Sequence, residues 1–217
     1  MIDLHTHTLL SDGGLLPSEL VRRAQVKGYE AIALTDHVDS SNIDFVIPSI
    51  VKASKELSRY WDIKVLPGVE ITHVPAETIK TIVRRARKLG AKIVVGHGET
   101  ISEPVASGTN KAFITAGVDI LAHPGMISTD DVKLAKKKNV FLEITTRKSH
   151  SKPNKRLITL ARKTGAKLVL NTDSHAPKDL LDDKKRNSFL KALGLTKREI
   201  DSIIQNSRLL VSKKSRA

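Results

Sequence analysis

Seven short β-branched runs alternate along this 217-residue chain with amphipathic stretches rich in lysine and arginine. The runs are IDLHTH (2–7), EAIALT (30–35), KVLPGVEI (64–71), KIVVGH (92–97), DILAHP (119–124), VFLEIT (140–145) and KLVLNT (167–172). Strands separated by helices are parallel strands joined by crossovers, which leaves an open doubly wound sheet or a closed barrel. No Gly-x-Gly-x-x-Gly follows the first run, so the dinucleotide-binding form has no support. The helical stretches carry their own punctuation. PSELVRRAQVKG puts Pro17 at a first helical position and Gly28 at the C-terminal end; AETIKTIVRRARKLG ends at Gly90 and NKRLITLARKTG at Gly165. STDDVKLAKKK begins at Ser128 or Thr129 with acidic residues in its first turn, which suits the helix dipole. KRNSFLKALGLTKREIDSIIQNSRLL reads as two helices broken at Gly194, with Thr196 and Glu199 forming a capping box. The expected organisation is one domain over 1–211 and a frayed basic tail over 212–217.

Where the histidines fall says more than how many there are. His5 and His7 end the first run, and Asp12 follows in SDGG. His37 follows the second run in LTDH, Glu70 ends the third in PGVE, and His97 ends the fourth in VVGHGE. His123 ends the fifth in LAHPG, and Asp173 and His175 follow the seventh in NTDSH. In a parallel barrel the carboxyl ends of the strands converge on one mouth, where barrel enzymes place their chemistry. Singly, a histidine after a strand is an ordinary capped or hydrogen-bonded loop residue. The same placement repeated strand after strand points to a metal site. His-x-His and Asp-x-His fit it, because residues i and i+2 of an extended chain face the same side. These nine candidates are too many for one ion and suit two or three. With no cysteine present, the nitrogen and carboxylate donors favour zinc, manganese or iron.

Composition narrows the partners. Hydrophobic residues at 40% and charged residues at 28% are an ordinary soluble mixture, and the absence of cysteine excludes disulfides. No run is long enough to span a membrane and no basic-then-apolar leader opens the chain, so a cytoplasmic location is expected. The formal charge of +14 favours anionic partners, phosphates or nucleic acid, although many lysines also simply solvate helix faces. Aromatics at 3% argue against a protein that grips single strands by stacking bases.

The ordered set HTHT…SDG, LTDH, PGVE, GHGE, AHPG and NTDSH resembles the polymerase and histidinol phosphatase (PHP) family over nearly the whole chain. The resemblance implies a distorted (β/α)7 TIM-like barrel that holds up to three metals at the C-terminal ends of its strands and hydrolyses phosphate esters. It implies that His5, His7, Glu70 and Asp173 surround a first metal. Glu70 would bridge to a second, held also by His97 and His123, and Asp12, His37 and His175 would hold a third. Some relatives have a histidine near Asp12; a carboxylate there hardens the site and shifts preference toward manganese or iron. The expected mechanism is in-line attack by a metal-bound hydroxide formed between two cations about 3.5–4 Å apart.

The catalytic candidates are Glu70, Asp173 and His73, the last close enough to Glu70 to touch substrate or protonate a leaving group. Arg147, in EITTRKSH after the sixth run, is the leading phosphate clamp because a guanidinium presents a planar fork. Lys148 is a second substrate-binding candidate, and His150 reads as a loop residue. Glu99 reads as a loop or supporting residue, Asp3 and Asp36 as orienters of ligand histidines, and Arg84, Arg85, Arg87 and Lys88 as a solvated helix face. A small phosphomonoester such as histidinol phosphate is the expected substrate, with a nucleotide or a nucleic-acid end kept open by the charge. The alternatives are a nuclease, a non-catalytic RNA-binding barrel such as the ribonuclease P protein that resembles this family, and a metal-dependent amidase.

Overall fold

The computed structural model describes residues 1–216, with side-chain surroundings through Lys214; Ala217, the end of the expected basic tail, lies outside them. Its strands are β1 (Ile2–Asp3), β2 (Ala31–Leu34), β3 (His37–Val38), β4 (Lys64–Ile71), β5 (Ile93–His97), β6 (Ile120–Ala122), β7 (Phe141–Thr145) and β8 (Leu168–Asn171). They run parallel in the order β1-β2-β4-β5-β6-β7-β8, with β3 also on β4. β2 and β3 are two halves of one stave broken at Thr35 and Asp36, since Leu34 pairs with Pro67 and His37 with Glu70 on the same neighbour. Seven staves result, the number that the alternation predicts.

The staves close into a nearly complete barrel, not an open sheet. Thr6 bridges Ser174, and His7 N donates to Ser174 O at 2.8 Å. Lower on this seam side chains do the joining. Leu4 N donates to Asn171 Oδ1 at 2.9 Å, and Asp3 accepts from Thr172 N and Oγ1 at 3.2 and 2.6 Å.

The helices are α1 (Pro17–Val26), α2 (Ile43–Tyr60), α3 (Ile79–Lys88), α4 (Thr109–Ala116), α5 (Thr129–Lys138), α6 (Asn154–Thr164), α7 (Asp183–Ala192) and α8 (Lys197–Arg216). Their ends obey the local signals. Gly28, Gly90, Gly165 and Gly194 take positive φ, and Ser128 Oγ accepts from Asp131 N. Thr196 N donates to Glu199 Oε2 at 2.8 Å and Glu199 N returns to Thr196 Oγ1 at 3.4 Å. α2 and α4 are not among the helices that the sequence announces. Among the described residues no helix is long and apolar enough to cross a membrane.

Strand alternation divides the core in two. Outward residues such as Ile32, Leu34, Val94, Leu121 and Leu142 pack under the helices. Inward residues such as Ala33, Leu66, Ile93, Val95, Ile120 and Val169 fill the barrel. Leu210 and Val211 of α8 join this inner cluster and plug the end where the strands begin. There Lys214 Nζ pairs with Asp119 at 2.6 Å and Arg208 with Glu30 at 3.1 Å. α8 runs on past residue 212 to Arg216, and its Lys214 contact with Asp119 ties it to the barrel floor.

Candidate metal centre

The inward face of each strand changes character as it rises. Leu66 and Gly68 are followed in step by Glu70, Ile93 and Val95 by His97, Phe141 by Glu143, and Val169 and Asn171 by Asp173. Apolar packing at the floor thus holds imidazoles and carboxylates at the top. Three of them need an unusual backbone: His73, His123 and Asp173 have φ of 51°, 26° and 53°. Such values cost about 1–3 kcal/mol each and cluster at functional sites. His97 and His123 meet because the segments that carry them pack back to back. A Cβ on Gly125, at φ 58°, would strike the Glu99 carbonyl.

All nine predicted ligands are brought together. Glu70 is the hub: its Oε2 lies 3.2 Å from His5 Nε2, 3.6 Å from His7 Nε2 and 2.9 Å from His37 Nδ1, and its Oε1 lies 3.4 Å from His123 Nε2. Asp173 Oδ1 faces His7 Nε2 at 3.2 Å and His175 Nδ1 at 3.4 Å. Asp12 reaches His175 Nε2 at 3.1 Å and His37 Nε2 at 3.6 Å. Five overlapping groups have ligand atoms within 4.8 Å of one another: His7–Asp12–His37–His175, His5–His123–Asp173, His5–His7–Glu70, Glu70–His97–His123 and His73–His97–Glu103. All eight histidines of the chain form one continuous cluster, with neighbouring ring centroids 4.2–6.4 Å apart.

This donor set fits metal ions. His5 Nε2, both nitrogens of His7, both oxygens of Glu70, and the Nδ1 atoms of His97 and His123 are buried without a hydrogen bond. Of these, His5 Nε2 and His7 Nε2 face the Glu70 carboxylate at 3.2 and 3.6 Å, and buried polar atoms left without partners are costly unless a cation or proton takes them. Burial holds His7 down to about 3, with the His37 and His5 imidazoles adding to the effect, so it stays a neutral donor. For Glu70 burial acts upward, but His5, His37 and His97 outweigh it and hold the carboxyl well below its usual range. Burial would lower His5, yet Glu70, Glu143 and Asp173 raise it well above an ordinary histidine.

Sequence reasoning overlooked two of the supports, Glu143 and Glu103, and read a third, His150, as a loop residue. Glu143, on the stave of the sixth run, takes His5 Nδ1 at 2.8 Å and Asn171 Nδ2 at 2.8 Å, leaving His5 Nε2 to face Glu70. Its position in step with Phe141 was the available signal. Glu103 lies 3.1 Å from His97 Nε2 and 3.0 Å from His73 Nε2, and these contacts, His97 first, hold it at about 2 against burial. It comes from a loop with no periodicity to mark it. His150 is a buried member of the cluster, not a free loop residue. Its Nδ1 lies 2.6 Å from Thr100 Oγ1 and 2.7 Å from Ser102 Oγ, and its Nε2 lies 3.4 Å from Glu103.

Other expectations are relocated. Arg147 stands at the mouth, but its Nη1 is already within 2.7 Å of His175 Nδ1 and 3.2 Å of the Asp173 carbonyl. Lys148 lines a neighbouring cleft instead of the histidine mouth. Asp36 and Asp3 act on backbone and hydroxyls, not on imidazole rings: Asp36 accepts from Thr8 N and Ser11 Oγ, and Asp3 from His5 N. Glu99 accepts from Asn110 N and so tethers α4. Arg85 and Arg87 are not merely solvated, since they pair with Asp44 and Asp119 at 2.5 Å.

Comparison with known proteins bears on this geometry. A family model described as the PHP domain matches residues 3–161. An uncharacterized protein of Methanocaldococcus jannaschii is 47% identical over 204 residues, covering 93% of this chain and 94% of its own. A Clostridium acetobutylicum protein named as a probable phosphatase is 27% identical, covering 91% of this chain and 97% of its own. In fold the chain is similar to one in an archaeal ribonuclease P solved with mature tRNA, with a TM-score of 0.75 and 16% identity over 99% of this chain and 91% of that one. At that identity the likeness is one of fold alone.

Proposed function

Since the chain belongs to the PHP-domain family of phosphoesterases, we propose that it hydrolyses a small phosphomonoester at this mouth with two or three divalent ions. The observation that carries the reading is the convergence of buried, unsatisfied imidazole and carboxylate lone pairs around Glu70. His5, His7, Glu70 and Asp173 would hold one ion, Glu70, His97 and His123 a second, and Asp12, His37 and His175 a third. Such ions supply charge that polarises a phosphoryl oxygen and acidifies water. Glu70 suits a bridging role because its two oxygens face different histidines.

The protein's own groups do the rest. Arg147 keeps Nη2 free of hydrogen bonds among the described residues and offers it to a phosphate oxygen at the mouth. His73, at the rim with Glu103 against its Nε2, is placed to hand a proton to the departing alcohol oxygen. The scarcity of sulfur ligands makes zinc, manganese and iron the candidate ions, and a cytoplasmic location belongs to the same proposal.

A second reading, an RNA-binding barrel without catalysis, draws on the +14 charge. Such a protein has no use for so many buried imidazole and carboxylate groups converging on Glu70, and that favours the enzyme. The test is hydrolysis of para-nitrophenyl phosphate by metal-stripped protein reloaded with manganese, zinc or iron, beside a Glu70→Ala variant. Metal-dependent turnover that disappears in the variant is expected. Well-folded, metal-loaded protein that cleaves no phosphate ester but binds labelled RNA or cleaves amides would overturn the proposal.

A further inference from the structure

Beside the histidine mouth, of about 390 Å3, lies a larger cleft of about 770 Å3 for which the hydrolytic chemistry has no need. The two meet at Arg147 and His175, which line both. Lys148, Lys178 and Lys185 stand exposed around the second cleft. Among the described residues no carboxylate pairs with any of the three ammonium groups, unlike Lys133 and Lys214, which sit on Asp130 and Asp119. The acid in the cleft wall, Asp179, keeps one oxygen on the loop backbone and leaves the lysines in the majority. Its Oδ2 accepts from the amides of His175 and Ala176 at 3.0 and 2.9 Å. The floor is apolar, formed by Leu181 and Phe189 where they pack against the core.

We propose that this cleft is a subsite for a second phosphate group, so that the preferred substrates are organic phosphomonoesters that carry another phosphate on the same skeleton. The proposal rests on the phosphoesterase reading above. The scissile phosphate sits among the histidines, the carbon skeleton crosses Arg147 toward Leu181 and Phe189, and the lysines take the second phosphate as point charges. The reaction is unchanged: water supplies the new P–O bond, the ester P–O bond breaks, the leaving oxygen takes a proton, and the second phosphate departs with the alcohol. A net charge of +14 attracts any anion, whereas a subsite discriminates between them.

The experiment compares kcat and KM of metal-loaded protein on fructose 6-phosphate, fructose 1,6-bisphosphate and a 5′-phosphorylated dinucleotide. Para-nitrophenyl phosphate, which has nothing to place in the cleft, reports fold and metal loading. A Lys178→Ala/Lys185→Ala variant tests the cleft, and Lys55→Ala on α2 removes a distant charge. The bisphosphate is expected to beat the monophosphate by about tenfold or more in kcat/KM, through KM, and the double variant to erase that advantage while Lys55→Ala keeps it. If the dinucleotide wins with the same lysine dependence, the second phosphate is that of a nucleic-acid end and the subsite stands. Equal kcat/KM for mono- and bisphosphate, or equal losses in Lys55→Ala, would overturn the subsite alone. No turnover of any ester would overturn the phosphoesterase reading and the subsite with it.

Discussion

Glu143 serves the site without reaching its mouth. Buried beneath His5, it accepts from Asn171 and holds the imidazole so that Nε2 points at Glu70. Carboxylates that fix a ligand's tautomer typically contribute 10–100-fold to metal affinity. Glu143→Gln keeps the shape and loses the anion, so affinity measured by competition with a chromophoric chelator is expected to fall by about 10–100-fold with circular dichroism unchanged. Undiminished affinity would leave Glu143 a packing residue. The same logic separates His150 from Lys148, two neighbours in one loop. His150 is turned inward by Thr100 and Ser102, whereas Lys148 stays exposed beside the second cleft.

Among the elements, α8 closes the barrel floor, and its start is fixed by one residue. Glu199 accepts from Thr196 N and holds Arg162 of α6 at 2.6 Å. Glu199→Ala removes both the cap and the cross-helix pair and is expected to cost about 1 kcal/mol, read as a lower urea midpoint. The Arg162 contact, with the Thr196 amide next in effect, depresses the Glu199 carboxyl to about 2. A depressed carboxyl stabilises the fold above its ordinary value near 4.5 and loses that contribution as pH falls toward 2. The gap between wild type and variant should therefore narrow over that window; a constant gap would mean that the charge contributes nothing. In α2, exposed Pro48 removes one internal hydrogen bond. Pro48→Ala is expected to stabilise the protein by about 1–3 kcal/mol, seen as a higher melting temperature. That same proline broke the helical pattern and kept α2 from being legible in the sequence.

The whole molecule gathers Asp12, Glu70, Glu103 and Asp173 at one end of the barrel among eight imidazoles. Carboxylates so placed favour any state in which cations share their charge, so metal loading and stability are linked. Chelator-treated protein is expected to melt lower, and manganese or zinc to restore the melting temperature progressively, by about 2.7 kcal/mol at a hundred times the dissociation constant. A melting temperature indifferent to added metal would show that the folded protein does not prefer the ions. The +14 charge belongs to this scale too, because it draws anions to every face and leaves discrimination to the clefts.

Seven staves, most helix ends and the nine clustered histidines and carboxylates could be read from the chain because each depends on short-range physics. Alternation with period two sets which face of a strand a residue takes, a glycine or a capping box ends a helix within a turn, and parallel strands bring their carboxyl ends to one side. The closed barrel rests on pairings as distant as Asp3 with Thr172 and Thr6 with Ser174, which no local pattern announces. Distance along the chain likewise hid the meeting of His73 with Glu103 and of Thr100 with His150, and the plugging of the floor by Leu210. These contacts exist only once the chain has closed on itself, so tertiary structure alone decided them.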